Sequence, residues 1–243
     1  TLSDEPGFDR QNSAYVSLKS NWQLDEMNIE VLLNQSGSDL DYGYDEDWSF
    51  TGIHPFGYTS TDHYFRKRDT TSAEIRLLSN ESGRVFADTT DWIVGFYYLS
   101  SSEALQRQYT FLPSDFLSDY EFDTLAIFTE LDIAFSDQMT LSAGLRLEKR
   151  ETEYDDSDGA KFSPNDSFWG GKVALEYLAG ENTLVYGSVS RGYKAGGFNI
   201  DGSLDEDLRS FDEEYLIEYE LGVKTLLANE GVALQLAIFY DDR

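Results

Sequence analysis

Apolar and polar residues alternate through most of this chain. From Leu125 to Phe135, the residues Leu125, Ile127, Leu131, Ile133 and Phe135 share one face, and Glu130 and Asp132 lie on the other. From Met139 to Arg150, Met139, Leu141, Ala143, Leu145 and Leu147 oppose Thr140, Ser142, Gly144, Arg146 and Glu148. Near the end, Val232, Leu234, Leu236, Ile238 and Tyr240 repeat the pattern. Successive side chains of a strand point to opposite sides, so a period of two predicts strands rather than helices. The same template fits stretches around Val16, Val31, Ile75, Val94, Val173, Val185 and Leu221. About ten strands result, many near the roughly 9–11 residues that cross a bilayer at a tilt.

The connections between these strands alternate in length. Tight polar turns are expected near Asp25–Met27, Ser136–Gln138, Ala179–Asn182 and Ala228–Gly231, with a longer one over Asn80–Asp91. Between them lie long excursions near Gln35–Thr70, Ser100–Glu121, Glu151–Asn165 and Gly192–Glu213. Long structureless loops are uncommon inside compact domains. Short turns at one end and long loops at the other characterise outer-membrane barrels. The expected fold is therefore all-β: an antiparallel up-and-down transmembrane β-barrel segment with short periplasmic turns and long extracellular loops. A soluble sandwich shares the alternation but rarely keeps the loop asymmetry.

Composition narrows the function classes. The net charge is -28, from 46 acidic and 18 basic residues, which repels phosphate backbones and excludes nucleic acid as a partner. Sixteen Tyr, 16 Phe and 4 Trp are too many for a disordered acidic chain. With no cysteine there is neither a disulfide framework nor a thiolate metal site. No apolar run approaches the roughly 18–20 residues of a transmembrane helix, but barrel strands give a weaker hydropathy signal. Trp22, Trp48, Trp92, Trp169, Tyr98, Tyr177, Tyr219 and Tyr240 stand near predicted strand ends, as interfacial girdles require.

The segment from Tyr186 to Asn199 (YGSVSRGYKAGGFN) resembles a strand and loop of TonB-dependent receptors, and Glu214 to Lys224 (EYLIEYELGVK) resembles that family's next strand. Ala126–Phe128 with Leu141–Arg146, and Glu74–Leu77 with Val94–Tyr98, are similar to earlier hairpins. Each motif is short, and their order carries the resemblance. It implies a 22-stranded barrel of the bacterial outer membrane enclosing an N-terminal plug, which imports a siderophore, haem, cobalamin or glycan with energy from the TonB complex. Residues 1–243 are then expected to be part of a single β-barrel domain, with the plug and remaining strands outside this sequence. The expected partners are an iron chelate or other small nutrient, the plug, the TonB complex through the plug, and outer-membrane lipid. The competing readings are a passive porin or adhesin barrel and a soluble all-β glycan-binding module.

Candidate ligand contacts follow from side-chain chemistry. The first long loop is expected to hold Tyr42, Tyr44, Trp48, Phe50, Tyr58, Tyr64 and Arg66, offering large amphipathic contact area. Arg191, Tyr193 and Lys194 are expected beyond a strand end, where cation and ring could meet an anionic ferric chelate; the alternative is a conformational role for the glycine-rich segment. Arg146, Glu148, Glu218, Glu220 and Lys224 are expected on the lumen side, contacting the plug or paired across strands. His54 and His63 match no metal-ligand spacing, and Asp156-Ser-Asp158-Gly159 lacks the later glutamate of a calcium loop. No metal, cofactor or catalytic motif is present, so an enzyme is not expected.

Overall fold

The computed structural model describes residues 3–50, 52–53, 56–199, 204, 208–227 and 231–243. Ten long strands form one antiparallel meander: β1 (Phe8–Gln23), β2 (Met27–Asp45), β3 (Thr61–Ser79), β4 (Thr90–Tyr109), β5 (Phe116–Ser136), β6 (Met139–Asp156), β8 (Asn165–Leu178), β9 (Thr183–Lys194), β12 (Glu214–Leu227) and β13 (Val232–Asp242). Short β7 (Lys161–Phe162) adds to β6, while β10 (Gly197–Phe198) and β11 (Ser210–Phe211) make a separate pair. Each long strand bonds to its neighbours in chain order, and among the described residues the sheet does not close on itself. The described residues include no helix long and apolar enough to cross a membrane, which says nothing of strands.

The strands outrun their predicted length, and the excursions shrink accordingly. β2 and β3 stay in register from Met27↔Ser79 to Asp45↔Thr61, so only 46–60 connects them. β4 and β5 pair up to Arg107↔Phe116, and β5 pairs with β6 up to Ser118↔Asp156. The upper halves of these strands, such as Asn34–Asp41, are polar on both faces and so read as loop. A backbone ladder satisfies its own donors and acceptors and needs no apolar face to persist. Tyr42, Tyr44, Tyr64 and Arg66, expected in a loop, therefore stand on β2 and β3.

Register gathers the apolar positions of all ten strands on one face. One row runs Trp92↔Leu131↔Ala143↔Val173↔Val189↔Tyr219↔Tyr240 across β4, β5, β6, β8, β9, β12 and β13. None of the described residues covers it: Ile127 is 53% exposed, Val173 52% and Leu221 61%. The buried side chains Ala126, Thr124, Thr152, Tyr154, Phe168, Ala174 and Ser188 lie on the opposite, polar face. The accessible surface of 16359 Å² far exceeds the roughly 11,000 Å² of a globular monomer of 27.6 kDa. A soluble sandwich would put a second layer on the apolar face.

The short-turn end is built from local bonds. Leu24 donates its amide to Met27 O at 2.8 Å. Between β3 and β4, Asn80 Oδ1 accepts from the Ser82 and Gly83 amides at 3.1 Å each, and Trp92 Nε1 donates to Gly83 O at 3.0 Å. The chain then turns through Phe86, Ala87 and Asp88 with φ of 52°, 60° and 62°, held by reciprocal Val85–Thr90 backbone bonds.

Candidate ligand-binding surface

The polar face at the long-loop end carries arginines interleaved with aromatic rings. Asp62 on β3 is its most buried charge, at 1% exposure. Arg107, across on β4, clamps it with Nε–Oδ1 at 2.8 Å and Nη2–Oδ2 at 2.6 Å. Tyr64 donates its hydroxyl to Asp62 Oδ2 at 2.9 Å and Tyr44 at 3.3 Å. The guanidinium of Arg107 lies 5.3 Å from the Tyr64 ring centroid and 5.0 Å from that of Tyr109. Tyr42 joins the group, 5.6 Å from Tyr44 and 6.4 Å from Tyr64, and Trp48 lies 6.5 Å from Tyr44.

Burial pushes the Asp62 carboxyl up, but hydrogen bonds from Arg107 and Tyr64 outweigh it and hold Asp62 below its ordinary value. Burial, then the bond to Asp62, pushes Tyr64 up to about 12. A depressed carboxylate contributes stability that is complete above its unfolded value of about 4 and lost as pH falls through its lower folded value. A raised phenol contributes stability that is complete below its unfolded value of 10.0 and lost as pH rises through about 12. The clamp is therefore expected to hold from about pH 4 to about pH 10. Amide exchange at the upper β3–β4 ladder, corrected for intrinsic pH dependence, should show flat protection across that window. A step near neutral pH would contradict the assignment.

Two further groups continue the wall. Arg150 Nη2 donates to Tyr120 Oη at 2.9 Å and its guanidinium lies 4.0 Å from the Phe122 ring centroid. Tyr154, Phe162 and Phe198 stack beside them, with Phe162 and Phe198 4.6 Å apart and nearly parallel. Lower, Arg146 bonds Glu148 Oε2 through Nη2 at 2.6 Å and reaches Tyr193 Oη at 3.2 Å, while the Tyr193 ring stacks on Phe168 at 4.9 Å. Arg66 and Arg68 both meet Glu103. Among the described residues Arg150 makes no ion pair, although Asp166 is its register partner.

The residues singled out from the sequence divide. Tyr44 and Tyr64 meet at Asp62, and Tyr42, Trp48 and Arg66 lie against their rings; Tyr58 stacks on Phe111 at 5.5 Å and donates to Glu46 at 3.4 Å. Tyr193 belongs to the Arg146 group, whereas Arg191 lies within β9 on the apolar face, between Trp169 and Tyr215. Lys194 ends β9 opposite Glu214, exposed. Lower on the polar face, Arg146 pairs with Glu148 and Arg76 with Glu74, each along its own strand. Glu220 accepts from Tyr186, over whose ring Lys224 sits at 5.2 Å. His63 packs 5.0 Å from Phe8, and His54 lies outside the described residues. Asp156 Oδ1 caps its own turn, accepting from the Asp158 and Ala160 amides, and the described residues hold no group of three or more side chains arranged for a metal. The period-two run Asp62, Tyr64, Arg66, Arg68 was a signal for the clamp that the loop assignment concealed.

Residues 2–243 match the family described as TonB dependent receptor-like, beta-barrel. Over 164 residues, 63% of this chain and 24% of the relative, the sequence is 30% identical to the pesticin receptors of Yersinia enterocolitica and Yersinia pestis. The alignment thus spans about a quarter of the length of those relatives. The ferric yersiniabactin uptake receptor FyuA from Yersinia pestis superposes with a TM-score of 0.79 at 22% identity, over 97% of this chain and 36% of that one. The siderophore receptor PiuA from Acinetobacter baumannii gives 0.76 at 17%, over 98% and 41%. At such identities the structural likeness is one of fold, but the family match extends over nearly every residue. The chain belongs to the TonB-dependent receptor family, as a stretch of its β-barrel.

Proposed function

We propose that this chain is part of a single barrel domain, in a bacterial outer-membrane receptor that captures a ferric siderophore or similar iron complex at its long-loop end and imports it with energy passed through TonB to a plug. One observation carries the reading: the sheet is apolar and uncovered on one face, and on the other presents arginines and rings at the long-loop end. Lipid covers the first face, between the aromatic levels marked on β8 by Trp169 and Tyr177. The second receives the ligand, and the charges lower on it meet the plug.

Arginines are the scarce charge in a chain of -28, and most on this wall are already neutralised by Asp62, Glu103 or Glu148. Arg150, stacked on Phe122 and without an ion pair among the described residues, is the donor offered to an anionic chelate oxygen, with the Tyr120 and Tyr154 rings beside it. Titration of the native receptor with ferric citrate and ferric yersiniabactin, followed by tryptophan fluorescence, tests this. Arg150→Ala is expected to weaken binding about ten- to a hundredfold, the scale of one charged hydrogen bond, and Arg150→Lys less. Undiminished binding by the alanine variant would remove Arg150 from the site. Failure of the unaltered receptor to bind any ferric complex would remove the iron reading.

A further inference from the structure

We propose that the apolar face carries a lipid site: a groove centred on Gly187 takes an acyl chain, and the Arg191 guanidinium at its upper end takes the phosphate of an outer-leaflet glycolipid. The inference rests on the membrane reading above. Register sets Arg191 opposite Gly171 on β8 and Ile217 on β12, in line with Val185, Gly187 and Val189 on the apolar face. A bare cation on a lipid-facing surface is costly unless it sits at the interface and finds a counter-charge. Arg191 makes no ion pair among the described residues, in a chain rich in carboxylates.

Its surroundings fix its orientation. The guanidinium lies 4.0 Å from the Trp169 ring centroid and 3.7 Å from that of Tyr215, so two rings flank it. One Nη1–H donates to the Trp169 carbonyl oxygen. A guanidinium has five N–H donors in a fixed fork, and one such bond leaves the rest of the fork for a further acceptor. That is a pre-oriented bidentate donor, a shape matched by phosphate.

Gly187 lies four residues below Arg191 on the same strand and face, about 13 Å away at strand rise. Its register partners are Leu175 and Leu221, and a groove of about 590 Å³ passes over it, lined also by Val173, Val189 and Ile238. A Cβ at Gly187 would come within 2.9 Å of Leu221 Cδ2, so a larger side chain fills the groove. An apolar groove reaching Val189, with a cation flanked by two rings one step further up the same strand face, has the polarity profile of one membrane lipid. Because Arg191 lies toward the long-loop end, the lipid is one of the outer leaflet, where the phosphate is borne by a glycolipid.

Native mass spectrometry of the receptor extracted from outer membranes in mild detergent tests this. A phosphorylated glycolipid adduct is expected, and Arg191→Gln should lower its bound fraction about tenfold, while Arg191→Lys retains part of it. Gly187→Leu should lower it too, without changing ferric chelate binding. An adduct indifferent to Arg191→Gln overturns the site, as does a glycerophospholipid in its place or a protein dimer instead of a lipid. If the protein does not fractionate with outer membranes, the membrane reading fails and the site with it. If it does, and no Arg191-dependent adduct is found, the lipid site alone fails.

Discussion

Arg107→Ala is expected to destabilise the upper β3–β4 ladder by about 3 kcal/mol, the lower end for a broken buried pair. The substitution removes both guanidinium bonds from Asp62 and strands a carboxylate that is 1% exposed. The full penalty is not expected. The Arg107 side chain is 34% exposed, and Tyr64 and Tyr44 still donate to the carboxylate. Amide exchange at 61–66 and 105–109 should accelerate by about a hundredfold, while the lower halves of the same strands stay protected. Pairing the change with Asp62→Asn should restore most of the protection, because no charge is then left buried. Unchanged exchange in the single variant would show that the pair holds nothing together.

Val173→Arg carries the second large effect, about 2–4 kcal/mol against folding into a bilayer. Val173 lies midway between Trp169 and Tyr177 on the apolar side of β8, flanked by Ala143 and Val189. Near a bilayer midplane an arginine must drag water inward or snorkel. Glu176→Arg, on the polar face of the same strand, should change stability little. Denaturant titration of the refolded receptor in vesicles compares the two. Equal effects would mean that the apolar face does not meet lipid, since on a solvated sheet Val173→Arg should be neutral.

The fold was legible because barrel strands state their facing residues one by one. Met139 to Leu147 alternates throughout and Leu125 to Phe135 nearly so, broken by Phe128 and Thr129, and the structure pairs them as β5 and β6. Strand ends were less legible, since above the apolar band both faces are polar and only the backbone ladder continues. That hid Asp62, Arg107 and Arg150, whose partners lie 45 and 30 residues away and meet only through register. The connection over Asn80–Asp91 was legible, but not its conformation: the three left-handed residues Phe86, Ala87 and Asp88 carry no glycine to mark them. Arg191 was read with Tyr193 from proximity in sequence, yet Tyr193 turns to Arg146 and Arg191 to Trp169.

The measurement nearest the central claim is uptake of radioactive iron, supplied as ferric yersiniabactin and ferric citrate, by iron-starved cells that have the native receptor as their only one. Uptake above the receptor-less background, abolished when the TonB complex is removed and sharply reduced by Arg150→Ala, is the predicted result. Uptake that survives loss of TonB would mean a passive pore, and no uptake of either complex would contradict the assignment of this barrel to iron transport.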